Sequence, residues 1–335
     1  MCNINIFMNP EYVCDDYASN SMEDAKAILD KYGVAIITGV LDSESCSKLE
    51  DDMWNMIEQL SIKFKAPSKP ITRTDPSSWK EISRFYPIHN MLIQQHVGHS
   101  VPVWNVRQHP NVVGSFAKLW DVNSTDLLTS FDGISFHMPP ETTKRGWFKN
   151  NWLHCDQSFT RNDMDCVQGW VTARDINDGD GTLTFLEGSH KYHKTVADHF
   201  SLTDKKDWLK LEPSIVDYYT NDLKCEQKCI KCPKGSLVLW DSRTIHCGRE
   251  ASKTRLVPNT RCVIYVCMTP RQNATAACLR KRIKAYEESR MTTHCPHNPK
   301  LFGKHPRTYG GELYDMGDID AHEITDVGRR LIGYD

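Results

Sequence analysis

From Leu127 onward the apolar residues fall into short runs with a period of two, cut at close intervals by Pro, Gly and Asp. Runs of this kind are strands, since successive side chains of a strand point to opposite faces. The spacing predicts strands over 133–138, 151–156, 165–174, 182–186, 229–232, 236–240 and 261–268. Several are β-branched or aromatic, and none is long. Strands so short and so closely spaced predict a sandwich or barrel, and they argue against a parallel α/β sheet.

Upstream the period is helical. Helices are expected over 23–32 and from the Asp42-Ser43 cap to about Leu60, with a short strand over 34–39 between them, and again over 111–119. The stretch 61–129 is otherwise loop-rich and aromatic, with Trp79, Phe85, Tyr86, Trp104, Phe116 and Trp120, as in segments that cover a site. Residues 197–223 read as helix and loop, and 274–290, rich in Ala, Lys, Arg and Glu, as helix. With 335 residues, 39% hydrophobic and 25% charged, the chain has the composition of a folded globular protein. No repeat or Gly/Ser-rich linker marks a boundary, so one domain is expected: a helical and lid region over 1–126, a β core over 127–270 and an extension over 271–335.

The formal charge of −2 excludes a generally polybasic nucleic-acid binder. Thirteen cysteines would suggest a disulfide framework in a small secreted protein. However, Met1 to Phe7 lacks the basic start and apolar run of a secretory signal, and no apolar stretch reaches the roughly 20 residues of a membrane helix. A cytoplasmic chain with reduced thiols is the expectation.

The densest chemical signal is Trp152-Leu153-His154-Cys155-Asp156. In a strand, His154 and Asp156 share a face about 7 Å apart, so both side chains can converge on one ion. His246, which ends the strand-like run from Leu237, supplies a third donor. Two imidazoles and one carboxylate leave three coordination positions open, which suits a non-haem Fe(II) that binds a cosubstrate and O₂.

The order of the surrounding motifs resembles the phytanoyl-CoA dioxygenase family, a branch of the Fe(II)/2-oxoglutarate-dependent oxygenases. The resemblance is carried by Tyr32-Gly33-Val34-Ala35-Ile36-Ile37, Asp132-Gly133-Ile134-Ser135-Phe136, Gly181-Thr182-Leu183, Glu187-Gly188-Ser189-His190-Lys191 and Trp240-Asp241-Ser242-Arg243-Thr244-Ile245-His246, and it covers most of the chain. It implies a mainly β fold with flanking helices around a double-stranded β-helix, the cupin-like jelly roll. It also implies Fe(II) held by His154, Asp156 and His246, with 2-oxoglutarate and O₂ as cosubstrates and ascorbate as a supporting reductant. An arginine after the distal histidine is expected to pair with the far carboxylate of 2-oxoglutarate, which a planar guanidinium meets bidentately. Arg255 and Arg261 are the candidates, and Arg261 is preferred because it opens the last core strand. Trp170 is expected either beside the cosubstrate or as plain core. Cys247-Gly248 replaces small hydroxyl residues that often follow the distal histidine in the family. Because Asp156 is retained where halogenating relatives lose their carboxylate, the resemblance implies hydroxylation, or a related oxidation, of a C–H bond in a small molecule. A catalytically idle jelly-roll scaffold and a zinc hydrolase on the same barrel are the alternatives.

Other clusters have plainer readings. Cys225, Cys229 and Cys232 have poor spacing for zinc. Arg243 and Asp241 are expected to pair at the rim or to touch substrate, and His190, His193 and His199 to be structural. Arg271 and the 280–284 basic run read as one solvated helix face, while Trp104, Arg107 and Trp120 either line a pocket or fill the core.

Overall fold

The structure, a computed structural model, describes residues 10–88, 93 and 96–335. Met1 to Phe7, read above for a signal, lies outside the described residues. Two β-sheets face each other. The larger runs in the order β2 (Ala18–Ser19), β3 (Val34–Ile37), β11 (Leu237–Asp241), β7 (Val167–Thr172), β13 (Arg261–Pro270) and β4 (Leu127–Thr129), with β5 (Ile134–His137) also paired to β13. The smaller runs β1 (Glu11–Val13), β10 (Gln227–Ile230), β8 (Thr182–Leu186), β12 (His246–Arg249), β6 (His154–Cys155) and β9 (Leu209–Lys210). This is the expected jelly-roll core. Helix nevertheless outweighs strand, at about 36% against 19%, because the covering segments fold helically.

Side-chain parity explains why the strands read as apolar on both faces. Val34, Ile36, Trp170, Val238, Trp240 and Val263 of the larger sheet point inward and meet Leu183, Phe185 and Ile230 of the smaller. Their neighbours Ala35, Ile37, Val171, Leu237, Leu239, Ile264 and Val266 point outward, onto Leu29, Met53, Ile57 and Phe116 of the flanking helices. The outer face of the smaller sheet is covered in the same way. Leu153, Cys155, Leu186 and Cys247 pack on Val196 and on Ile215 and Tyr219, the last two from the segment read as helix and loop.

The helix Met22–Tyr32 begins on the Ser21 side chain, which accepts from Asp24 N, and ends on Gly33 at φ 80°. A Cβ there would lie 2.5 Å from Thr244 Oγ1 and 2.6 Å from His190 Nδ1, so only glycine fits. The helix Ser43–Ser61 starts on Asp42 as expected. Within 61–129 the structure shows more helix than the sequence suggests, including Pro76–Phe85 and Val101–Arg107.

Two expectations need correction. Residues 151–156 form only the two-residue β6, because pairing is limited to His246, Lys210 and Leu209. The basic helix Ala276–Glu287 does not carry a single solvated face. Arg280 and Lys284 are exposed, but Arg282 is fully buried, with its guanidinium donating to Thr129 O, Pro296 O, Leu331 O and Ile332 O. A buried guanidinium needs such a set of acceptors, and here they lock the C-terminal helix Asp326–Ile332 onto the core.

Candidate metal centre

His154 and His246 face each other across one rung of the antiparallel β6–β12 pair. Both point into the space between the sheets, and Asp156 follows on the same side by strand alternation. His154 Nε2 lies 3.5 Å from Asp156 Oδ1, and His246 Nε2 3.4 Å from Asp156 Oδ2. One donor atom from each of the three lies within 4.8 Å of the others, and all three residues are buried.

The outer nitrogens fix the tautomers. His246 Nδ1 donates to Thr244 O at 2.8 Å, and His154 Nδ1 to Trp152 O at 3.3 Å. Each Nε2 is thereby left as a lone-pair donor toward the centre, the arrangement that metal-binding imidazoles need. Thr244 is itself held by its hydroxyl, which donates to Gly33 O at 2.9 Å, and Ser189 Oγ accepts from Ile245 N. His190 Nε2 donates to Asp30 O at 3.0 Å. The Gly188-Ser189-His190-Lys191 turn is thus a structural brace for the strand that delivers His246.

Burial alone would raise the Asp156 carboxyl, but the positive charge that the imidazoles of His294, His154 and His246 carry when protonated outweighs it and holds the group well below its usual value. Gln168, inward-facing on β7 of the opposite sheet, donates to Asp156 Oδ2 at 2.8 Å. His294, from the C-terminal extension, places Nδ1 4.0 Å from the same oxygen. Neither residue is evident from the sequence, because each reaches Asp156 only through tertiary packing. On the outer side the His154 ring stacks on Trp152, with centroids 4.7 Å apart, and Trp208 lies 5.9 Å away. Trp208 is 49% exposed and sits at φ 68°, an uncommon backbone region for a bulky side chain.

The two candidate arginines part company. Arg261 projects into the barrel, 5.3 Å from the Trp170 ring centroid, with Nε donating to Ser135 Oγ at 2.9 Å and Nη1 to Gly181 O at 2.7 Å. Arg255 sits in the loop before it, where its buried guanidinium pairs with Glu141 at 2.6 Å and Asp180 at 2.9 Å. Trp170 is a core residue of the inter-sheet layer.

The remaining clusters resolve simply. Arg243 forms a two-pronged pair with Asp241, at 2.6 and 3.0 Å. Cys225 and Cys232 lie in different apolar clusters, and neither they nor Cys229 belong to a metal-competent group among the described residues. Trp104 is fully buried and stacks on His322, Arg107 donates to Gly98 O and Asp132 O, and Trp120 donates to Met268 O. All three are core. The twelve cysteines among the described residues are free thiols.

A family model described as phytanoyl-CoA dioxygenase matches residues 29–255. The chain belongs to the phytanoyl-CoA dioxygenase family. Its cofactors are those of the family, Fe(II) and 2-oxoglutarate, and the His–Asp–His donor set fits that metal. The chain is 30% identical over 208 residues to the Ava biosynthesis cluster protein O of Aspergillus versicolor, which is 60% of this chain and 65% of that protein, so it spans under two thirds of that relative's length. Among solved structures, the hypothetical protein JW0805 of Escherichia coli is similar with a TM-score of 0.56 at 14% identity, over 97% of this chain and 86% of that one. A putative oxidoreductase of Salmonella typhimurium LT2 gives 0.55 at 14%, over 94% and 83%. These two likenesses concern the fold. No helix among the described residues is long and apolar enough to cross a membrane.

Proposed function

We propose that this phytanoyl-CoA dioxygenase family member hydroxylates a C–H bond of a small molecule, holding Fe(II) with His154, Asp156 and His246 and the distal carboxylate of 2-oxoglutarate with Arg261. The observation that carries the reading is the inward convergence of two Nε2 atoms and one carboxylate, each already oriented by a second bond. Bound Fe(II) supplies the activation of O₂, with 2-oxoglutarate oxidised to succinate and CO₂ and one oxygen atom passed to the substrate.

The chain's own residues supply position and exclusion of water. Gln168 fixes one oxygen of Asp156, and the backbone carbonyls of Trp152 and Thr244 fix the imidazole planes. The bonds to Ser135 and Gly181 use two of the five N–H donors of Arg261 and set its plane for a carboxylate. Trp152 and Trp208 form an apolar rim beside His154. The reading takes the whole chain as one oxygenase unit, since the C-terminal extension delivers His294 to the centre.

Purified protein supplied with Fe(II), ascorbate and 2-oxoglutarate is expected to convert 2-oxoglutarate to succinate, and His154→Ala is not. Turnover retained by that variant would sink the ligand set. Arg261→Ala is expected to raise the KM for 2-oxoglutarate at least tenfold, whereas Arg255→Ala lowers thermal stability with a smaller change in KM. The reverse order would move the cosubstrate site to Arg255. Zinc retained through purification in the wild type but lost in His154→Ala, with no oxygen uptake, would favour the hydrolase.

A further inference from the structure

A second group of metal-ligating side chains lies just behind the first. Asp165 stands two residues before β7, and Cys295 and His297 lie in the loop after the helix Ala276–Glu287. One donor atom from each lies within 4.8 Å of the others. Cys295 Sγ is 3.6 Å from His297 Nε2, and that nitrogen is 3.2 Å from Asp165 Oδ1. A tetrahedral zinc, with bonds of about 2.3 Å to sulfur and about 2.0–2.1 Å to nitrogen and oxygen, requires edges of about 3.6 Å and about 3.3 Å. The His297–Asp165 edge is therefore already in place, whereas Cys295 Sγ, 3.7 Å from Nδ1 as well, lies against the imidazole ring and turns about its Cα–Cβ bond to reach the ion.

The surroundings suit an ion as well. His297 Nδ1 lies 3.1 Å from Thr269 Oγ1, and donation there leaves Nε2 as the lone-pair atom. Arg161 takes the other carboxylate oxygen, Asp165 Oδ2, at 3.1 Å, which leaves Oδ1 for a ligand. Cys166 hydrogen-bonds to Cys295 and packs with it and Cys267 in a cluster of three thiols. The Asp165 side chain is 28% exposed and that of His297 12%, so the group is reached from solvent on the Asp165 side.

We propose that Asp165, Cys295 and His297, with a solvent molecule as fourth ligand, bind a zinc-class divalent ion at a centre distinct from the His154–Asp156–His246 site. Thiolate and imidazole donors select a borderline-soft ion over Mg²⁺ or Ca²⁺. The ion ties the loop of Cys295 to the head of β7 and, through the chain, sets the adjacent His294 beside Asp156.

Full-length protein, stripped of metal and kept reduced, is titrated with Co²⁺ and followed by absorption. A cysteine ligand gives a sulfur-to-cobalt charge-transfer band in the near ultraviolet, which a His–Asp–His set cannot give. The band is expected to saturate within two equivalents in the wild type, the other equivalent being taken by the His154–Asp156–His246 centre, to persist in Asp156→Ala and to bleach on addition of Zn²⁺. Cys295→Ser should abolish it, and Asp165→Asn, at a partly exposed position, should weaken Co²⁺ binding at least tenfold while circular dichroism stays unchanged. Absence of the band in the wild type overturns the proposal, as does a band that survives Cys295→Ser or a Co²⁺ affinity unmoved in Asp165→Asn.

Discussion

At the scale of single residues, the orientation of His246 can be followed back to a helix end. Gly33 O accepts from the Thr244 hydroxyl, and Thr244 O accepts from His246 Nδ1. Asp156 has a comparable support in Gln168, which crosses from the opposite sheet to reach Oδ2. A side-chain amide that orients a ligating carboxylate is typically worth 10–100-fold in metal affinity. Gln168→Ala is therefore expected to weaken Fe(II) binding by about that factor, measured by titration of the metal-free protein, with little loss of thermal stability. Unchanged affinity would mean that Asp156 is held by its backbone alone. His154, Asp156 and His246 were legible in the sequence because strand alternation and motif order do not depend on the rest of the chain. Gln168, His294 and Trp208 were not, since nothing local ties them to Asp156 or His154. Arg282 misled for the same reason: a run of basic residues reads as solvated until the carbonyls that surround one of them are known.

At the scale of elements, the larger sheet carries the architecture and the smaller one the two histidines proposed as ligands. The strands found from the sequence, β3, β5, β7, β8, β11 and β13, are those buried on both faces and rich in branched side chains. The strands it missed are polar or very short: β1, β2, β4, β9 and the His246-Cys247-Gly248-Arg249 of β12. Pairing alone defines these. The turn that feeds β11 illustrates how tightly the elements approach. Gly235 has φ 77°, its carbonyl accepts from Leu41 N, and a Cβ would fall 2.1 Å from Leu41 O. Gly235→Ala is expected to cost at least about 2 kcal/mol, from the left-handed backbone and the clash together. The check is the denaturant midpoint at unchanged m-value, and a midpoint equal to wild type would refute it.

At the scale of the molecule, buried histidines outside the metal centre bear on pH stability. His99 packs against Phe131, with ring centroids 5.0 Å apart, and Nε2 donates to Arg290 O. Burial, the largest influence, lowers its pKa from 6.5 to about 3. A lowered pKa means that the unfolded chain takes up a proton that the folded chain refuses. The contribution of His99 is therefore complete above pH 6.5 and is lost as the pH falls from there toward 3. The expected slope from this one group is about 1.4 kcal/mol per pH unit. In denaturant titrations at pH 7 and pH 5, His99→Gln should lose less stability between the two than wild type does. Equal losses would show that His99 titrates normally.

The rung between His154 and His246 also bears on how the barrel holds together. β6 is two residues long and meets β12 at that rung alone. The backbone pairing there is thin, and the two side chains that would share an ion grow from its two ends. Seen mechanically, a metal held as proposed would be a rivet through a seam of the smaller sheet that hydrogen bonds scarcely stitch. Loss of iron would then loosen the scaffold and not only silence the chemistry.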